Sequence, residues 1–275
     1  MANQNIRTPR FYPDLINYLL SRGIAQHNNF DVESGSDMIS TFTSGSEAEL
    51  FDMKPLNKCS WDTSSTVALR GDHVLINIDT VSTYKKSFVA ILNHNMASAD
   101  AKVLIKSSDT EGHIQAVDMG SATAMPSPVE VLNVDGIASS IVTPDYDGST
   151  IVQFTETDDR FWGIQFEGDS SNTFDSSTDL FVGCILIGEL YEMPHSPDLS
   201  VKRTIAFDGN NISESIGGQR YSNQTNYGRQ VSATTLSPFS TNQYPYKIYG
   251  GRIIYDMNFS FVNSTDIMPT EYDEH

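Results

Sequence analysis

The stretch Leu180-Phe-Val-Gly-Cys-Ile-Leu-Ile-Gly188 decides the fold, because it is apolar at almost every position and ends at a glycine. A short run rich in aromatic and β-branched residues predicts a strand. A strand that is apolar on both alternating faces predicts a position in the middle of the structure. Its sheet partner would then cover one face, and a further segment or a second subunit would cover the other.

The segments before this stretch alternate between apolar and polar residues, which indicates half-buried strands. In Phe161-Trp-Gly-Ile-Gln-Phe166, the side chains of Trp162, Ile164 and Phe166 share one face. Charged residues make up only 19 % of the chain, which is typical of strands and turns. The sequence therefore predicts an all-β fold with an antiparallel β-sandwich over residues 59–191. Further strands are expected at 74–79, 88–92, 103–106 and 151–154.

Two regions flank the predicted sandwich. Residues 1–58 contain one predicted helix over 14–22, with Pro13 and Asp14 at its start and Gly23 at its end, followed by an extended connector. Residues 192–275 are expected to form a C-terminal β extension, whose clearest strand covers 253–261 and buries one face. The helix carries an apolar stripe that must dock on the chain's own body, which we favour, or on a neighbouring subunit. The stripe consists of Leu15, Ile16, Leu19 and Leu20.

Charge and composition exclude several classes of protein. The net charge is −18, so a phosphate backbone would be repelled and nucleic-acid binding is disfavoured. The sequence has no apolar run long enough for a membrane span, and its start lacks the order of a secretion signal. We therefore expect a soluble protein that is not exported.

Cys59 and Cys184 are expected to be buried free thiols, because they have no neighbours at metal or redox spacing.

Few residues of the sequence have the spacing of a catalytic or metal-binding motif. His94 ends a core strand, where its ring could bind a ligand or act as a base, but we expect a structural role. Asp145 and Asp147 are secondary candidates for calcium, although turn chemistry explains them better. The sequence has no nucleophile elbow and no phosphate-binding glycine loop. We therefore predict no enzyme activity, no catalytic residues, no metal and no cofactor.

Aromatic residues are the remaining candidates for function. Trp61 and Trp162 lie in strand-like contexts and are expected in the core. Tyrosines in the polar C-terminal region are expected instead at contacts between subunits. Together with the helix stripe, the predicted interface residues are Tyr244, Tyr246, Tyr255 and Phe259.

The order of elements from Trp61 to Tyr191 resembles the discoidin-like, or galactose-binding-like, jelly-roll domains of many bacteriophage tail proteins. Ser60-Trp-Asp-Thr-Ser64, residues 74–79, residues 88–99 and the pair of strands at 160–166 and 179–189 carry this resemblance. It implies a structural protein of the virion, in the tail, tail tip, baseplate or neck, that is assembled in the host bacterial cytoplasm. Such a protein would form homo-oligomers and contact other virion proteins.

Two alternatives to this structural role remain open. The sandwich is also compatible with a carbohydrate-binding receptor module, in which loops at one end of the sandwich bind host surface glycans. A depolymerase would need a pair of acids across a cleft, and the sequence does not single out such a pair.

Overall fold

The computed structural model divides the chain into two compact units, Arg10–Tyr191 and Met1–Pro9 with Glu192–His275. The break after Tyr191 falls where the sequence places the end of the sandwich. The residues described by the structure are 8–35, 37–64, 73–116, 118–168, 173–206, 210–214, 220–224, 230–231, 248–249 and 252–260.

Short antiparallel strands dominate the first unit, with two α-helices and two single 3₁₀ turns between them. The helices are α1 (Leu15–Ser21) and α2 (Glu111–Ile114), and the 3₁₀ turns cover His27–Asn29 and Glu47–Phe51. The strands are β1 (Arg10–Phe11), β2 (Phe30–Val32), β3 (Phe42–Ser44), β4 (Cys59–Trp61), β5 (His73–Asp79), β6 (Lys86–His94), β7 (Ala101–Ser108), β8 (Thr123–Ala124), β9 (Val129–Leu132), β10 (Gly136–Ala138), β11 (Ile141–Thr143), β12 (Gly148–Thr157), β13 (Phe161–Gly168), β14 (Phe181–Val182), β15 (Cys184–Gly188) and β16 (Tyr191–Glu192).

Three sheets build the sandwich, and their named strands pair in antiparallel fashion. The largest sheet has the order β10-β11-β7-β13-β5-β2, with β8 paired to β7. A four-stranded sheet has the order β15-β6-β12-β9, and a smaller one has the order β14-β4-β3. This architecture confirms the predicted all-β, jelly-roll-type antiparallel sandwich. Neither α1 nor α2, the α-helices of the described residues, has the length and apolar character that a membrane crossing requires.

One hydrophobic core joins the inner faces of the two larger sheets. Ile76 and Ile164 contribute from the first sheet, and Val89 and Ile185 contribute from the second. Trp61 and Trp162 are both fully buried in this core, as predicted. The ring of Trp162 stacks on Phe154, with 5.2 Å between the ring centroids. The alternating residues of β5 and β13 are therefore the side chains that hold the two layers together.

Strand β15 is buried on both faces, as its continuous apolar sequence predicts. Ile185 and Ile187 point into the main core, whereas Cys184 and Leu186 join a second cluster with residues of β6. Tyr12 and Leu190 pack on that second cluster, so the chain itself supplies the cover. In the four-stranded sheet, β15 lies at an edge and pairs with β6 alone among the named strands.

Helix α1 lies against strand β15 and packs its apolar residues into the main core. Asp14 caps it by accepting hydrogen bonds from the backbone amides of Ile16 (3.3 Å) and Asn17 (3.0 Å). A Cβ atom at Gly188 would lie 2.3 Å from the carbonyl oxygen of Pro13, so only glycine allows the approach.

The apolar stripe of α1 is therefore covered by the chain's own body. Ile16 and Leu19 have no exposed surface and belong to the main core, and Leu15 and Leu20 pack partly buried against it. Ile16 and Leu19 are already inside the core and are not available to a neighbour, whereas Leu15 and Leu20 keep exposed surface and remain interface predictions.

The region before residue 59 also differs from the predicted division of the chain. Strand β2 pairs with β5 and strand β3 pairs with β4, so this region contributes strands to the sandwich sheets. Residues 10–58 are thus part of the sandwich unit rather than an appended connector.

The second unit consists, within its described residues, of three pairs of strands. Strand β17 (Lys202–Ala206) pairs with β22 (Arg252–Asp256), β18 (Asn210–Glu214) pairs with β19 (Arg220–Gln224), and β20 (Gln230–Val231) pairs with β21 (Ile248–Tyr249). The closing strand is shorter than predicted, and its expected buried face is not seen at Tyr255, which is 55 % exposed. Phe259 is partly buried beyond the strand. Tyr255 and Phe259 remain interface predictions, whereas Tyr244 and Tyr246 lie outside the described residues.

Candidate binding site

His94 has a structural role, in agreement with the sequence. Its ring is buried, with Nε2 2.8 Å from the hydroxyl of Thr150 and Nδ1 accepting from the amide of Met96 (3.2 Å). Asn95 on one side of it exchanges hydrogen bonds with the backbone of Asp179 and Phe181. This turn therefore fixes the end of β6 by side-chain bonds to the backbone.

The two secondary calcium candidates are not brought together. Asp147 accepts hydrogen bonds from the amide (2.9 Å) and the hydroxyl of Ser98, which lies 49 residues earlier, so its carboxylate joins two distant segments. Asp145 lies apart from these bonds and lines a polar hollow of about 270 Å³ with Asp100 and Asp135. Over the described part of the chain, no three acidic, histidine or cysteine side chains are grouped closely enough to hold a metal ion.

The two cysteines are buried free thiols, as predicted. The thiol of Cys59 donates a hydrogen bond to the carbonyl oxygen of Ser46 at 2.8 Å. Burial raises the pKa of Cys59 and of Cys184 to about 12. Both sulfurs therefore stay protonated and unreactive at neutral pH.

A large open groove lies at one end of the sandwich, between helix α1 and three loops. Its volume is about 780 Å³, within the range of small-molecule sites. Side chains from the segment before and in α1, the β5–β6 loop, the β12–β13 turn and the residues after β15 line it. We call it the tyrosine groove and define it by Tyr18, Tyr84, Tyr191, Lys85, Asp158 and Glu189.

Three tyrosines give the groove its apolar surface. Tyr18 and Tyr191 are 49 % and 47 % exposed, so about half of each side chain is open to solvent. The guanidinium of Arg22 lies 5.7 Å from the centroid of the Tyr18 ring, and Phe11 lies beside Tyr191 at 6.2 Å between ring centroids. Tyr84 is partly buried and packs against the main core. These rings are thus held by neighbours while keeping surface open to a ligand.

Charged groups lie among these rings. Lys85 forms a salt bridge with Glu156, with 3.0 Å between Nζ and Oε1. The hydrogen bond and charge of Glu156 raise the pKa of Lys85, and Glu189 and Asp158 add to the effect. The carboxylate of Asp14 serves mainly as the helix cap, and burial raises its pKa despite hydrogen bonds from Asn17, Ile16 and Ile187.

The loops of the groove are fixed by buried polar contacts beneath them. Lys86 is fully buried and donates a hydrogen bond of 2.6 Å to the carbonyl oxygen of Asp159, which also accepts from Trp162 Nε1 at 2.9 Å. Arg160 makes two hydrogen bonds to Asp79, of 2.6 and 2.7 Å. Although burial opposes it, this pairing lowers the pKa of Asp79.

A further contact ties two of the loops to each other. The hydroxyl of Thr80 donates at 2.8 Å to the carbonyl oxygen of Arg160 and is also 2.8 Å from that of Ser82. The β5–β6 loop and the β12–β13 turn therefore form one braced wall, which lowers the cost of ordering on binding.

The sequence did not single out the tyrosines of this groove. Tyr18 lies off the apolar stripe of its helix, Tyr84 lies in a polar loop, and Tyr191 follows the final sandwich strand. One signal was available for Tyr18, because a tyrosine on the polar face of a helix points away from the core that the apolar face meets.

Comparison with known proteins identifies similar structures but no family. No protein-family model and no curated protein sequence matches the chain. A chitosan-binding module of a chitosanase/glucanase from Paenibacillus sp. IK-5 is 13 % identical, with a TM-score of 0.36, over 57 % of this chain and 92 % of that module.

Two further structures have a similar extent. A CBM32 module of a family 31 glycoside hydrolase from Clostridium perfringens is 11 % identical, with a TM-score of 0.35, over 58 % of this chain and 94 % of that module. The CBM32 of AlyQ, solved with 4,5-unsaturated mannuronic acid, is 17 % identical, with a TM-score of 0.33, over 54 % of this chain and 91 % of its own. These likenesses concern the β-sandwich fold.

Proposed function

We propose that this chain is a non-enzymatic saccharide-binding protein and that the tyrosine groove is its binding site. The observation that carries the proposal is the pair of half-exposed rings, Tyr18 and Tyr191, in one groove among carboxylates. The sequence left carbohydrate binding open as an alternative, and we assign that function to the groove at one end of the sandwich.

The chemistry of the groove suits a saccharide. A tyrosine ring offers a flat apolar surface with low conformational entropy cost, on which the C–H face of a sugar ring packs. The exposed carboxylates of Asp158 and Glu189 accept hydrogen bonds from hydroxyl groups at the rim of such a ring. An apolar floor with a few convergent polar groups is the usual composition of a ligand site.

Calorimetric titration with neutral, cationic and anionic oligosaccharides tests the proposal. We expect saturable binding, and Tyr18→Ala or Tyr191→Ala should weaken it about 5- to 30-fold, equivalent to about 1–2 kcal/mol. Tyr146→Ala is the matched control, because Tyr146 is 46 % exposed. It lies near Gly148, which pairs with His94, at the opposite end of β6 from the groove.

Two results would contradict the proposal. One is a complete lack of saturable binding to every class of saccharide by a folded protein. The other is equal loss of affinity in the Tyr146→Ala control and the groove variants, because the groove would then have no special role.

A second candidate function is assembly into a larger particle, as the phage-tail resemblance implies. The observation that favours it is strand β9, which lies at an edge of the four-stranded sheet and exposes Val129, Val131 and Leu132 by 55 %, 37 % and 40 %. An exposed apolar edge strand is a template for pairing with another chain, here a second copy. Location in a virion, tail or baseplate and contacts with other virion proteins belong to this candidate.

Sedimentation velocity tests this second candidate. The wild-type protein should form dimers in a concentration-dependent manner, and Val131→Lys should abolish them and leave a folded monomer whose thermal midpoint no longer depends on concentration. A wild-type protein that stays monomeric at high concentration would count against self-assembly through β9.

A further inference from the structure

The charges of the tyrosine groove are unbalanced toward acid. Glu156 pairs with Lys85 at the rim, at 3.0 Å. Asp158 and Glu189 are exposed, and among the described residues neither accepts a hydrogen bond nor forms a salt bridge. The groove therefore offers two carboxylates that remain available to a ligand.

We propose that the groove selects saccharides that carry protonated amino groups, such as oligomers of unsubstituted hexosamine, over neutral and anionic saccharides. This inference rests on the proposed function and adds the chemical class of the ligand. An ammonium group forms charge-assisted hydrogen bonds with free carboxylates, which are stronger than the bonds that hydroxyl groups make. An ammonium group over the ring of Tyr18 or Tyr191 adds a cation–π contact.

Anionic saccharides meet the opposite field. A uronate placed on Tyr191 would approach Glu189 and Asp158, and the single lysine of the groove already has Glu156 as its partner. The net charge of −18 extends the same repulsion over longer distances. Like charges brought together in this way oppose binding and thereby create specificity.

A cationic peptide is the competing ligand with the same charge. Lysine side chains are flexible, and each loses up to about 2 kcal/mol of rotamer freedom when ordered. A pyranose ring is rigid and offers a flat face to the two half-exposed tyrosines, so it loses less freedom for the same contacts. The aromatic surface therefore favours the amino sugar over a flexible cation.

The test compares four probes of equal length: a hexosamine oligomer, its fully N-acetylated form, a uronate oligomer and oligolysine. Acetylation removes the positive charge and leaves the ring in place. We expect the hexosamine oligomer to bind at least tenfold more tightly than the acetylated form, with no detectable binding of the uronate. Raising the salt concentration from 0.1 to 0.5 M should weaken the former and leave the acetylated form little changed.

Isosteric variants locate the effect. Glu189→Gln and Asp158→Asn should each lower affinity for the hexosamine oligomer about two- to fivefold, the magnitude of an exposed ion pair. Affinity for the acetylated form should fall much less, because the side-chain amide oxygens of the variants still accept hydrogen bonds from hydroxyl groups. Glu130→Gln is the matched control, because Glu130 is an exposed acid on β9, outside the groove. Its affinity for the hexosamine oligomer should equal that of the wild type.

The outcomes separate this inference from the proposed function. Equal, tyrosine-dependent binding of the hexosamine oligomer and its acetylated form would overturn the inference and leave the proposed function intact. An absence of binding to every saccharide would overturn both. Oligolysine that binds as tightly as the hexosamine oligomer, and is unaffected by Tyr191→Ala, would also overturn the inference, because charge alone would then explain affinity.

Discussion

Replacing Leu19 by alanine should destabilise the sandwich unit strongly, because α1 docks on the chain's own core. Leu19 is fully buried in the main core cluster. The substitution removes three buried carbon groups, a transfer cost of about 2.4 kcal/mol at roughly 0.8 kcal/mol each. The remaining cavity raises the cost to about 3–5 kcal/mol. For a unit of this size, a loss of about 3 kcal/mol lowers the thermal midpoint by roughly 6–12 °C.

Tryptophan fluorescence isolates the relevant transition. The chain has two tryptophans, and both lie in the unit Arg10–Tyr191, so unfolding of the second unit does not obscure the signal. Tyr18→Ala is the control on the same helix, because Tyr18 is 49 % exposed and should cost much less. A Leu19→Ala protein with an unchanged midpoint but a lower mass in sedimentation would refute the reasoning. It would show that the stripe packs on another subunit.

Three further predictions concern the contacts that support the groove. Gly188→Ala should lower the midpoint of the sandwich by several degrees, since its Cβ would lie 2.3 Å from the Pro13 carbonyl oxygen. Burial lowers the pKa of Lys86 to about 8. Between pH 8 and 10.5 the unfolded chain therefore binds more protons than the folded chain. As the pH rises through this range, the free energy of unfolding relative to that of Lys86→Met should increase by roughly 1–3 kcal/mol. Arg160→Met should weaken saccharide binding several-fold without touching the groove, because it removes the two hydrogen bonds to Asp79.

Controls for these variants come from the same unit. Gly136→Ala places its Cβ in open space and should be neutral in thermal unfolding. Lys54→Met replaces an exposed lysine, so urea titrations should show little change in the free energy of unfolding from the wild type. A Lys86→Met difference that stays constant from pH 8 to 10 would contradict the assigned burial effect. Unchanged calorimetric affinity in Arg160→Met would show that the braced wall is dispensable for binding.

The strands of the sandwich could be predicted because their faces differ in polarity. The alternation at Trp162, Ile164 and Phe166 specifies which side of β13 meets the core. Because Cys184 and Leu186 are also apolar, the sequence indicates that a second segment covers the other face of β15. It specifies neither which segment provides that cover nor that β15 lies at an edge of its sheet. Local patterns carry no information on the distant segment that meets a face.

The candidate site was harder to predict, because its parts are distant in sequence. Tyr18, Tyr84 and Tyr191 come from a helix, a loop and the end of a strand, and no spacing links them. The apolar stripe of α1 was found correctly, but its partner was left open. Amphipathicity indicates that a face is buried and does not indicate by what.

The cover over β15 has a consequence for how copies of this chain would join. Asp14 accepts a hydrogen bond from the backbone amide of Ile187, and α1 lies against this edge, so one border of the four-stranded sheet is already closed. Its other border, β9, is open within the described residues. Such a sheet can pair with only one other strand from outside, at its single open border. Strand pairing through β9 would therefore end at two copies and would not propagate into a filament.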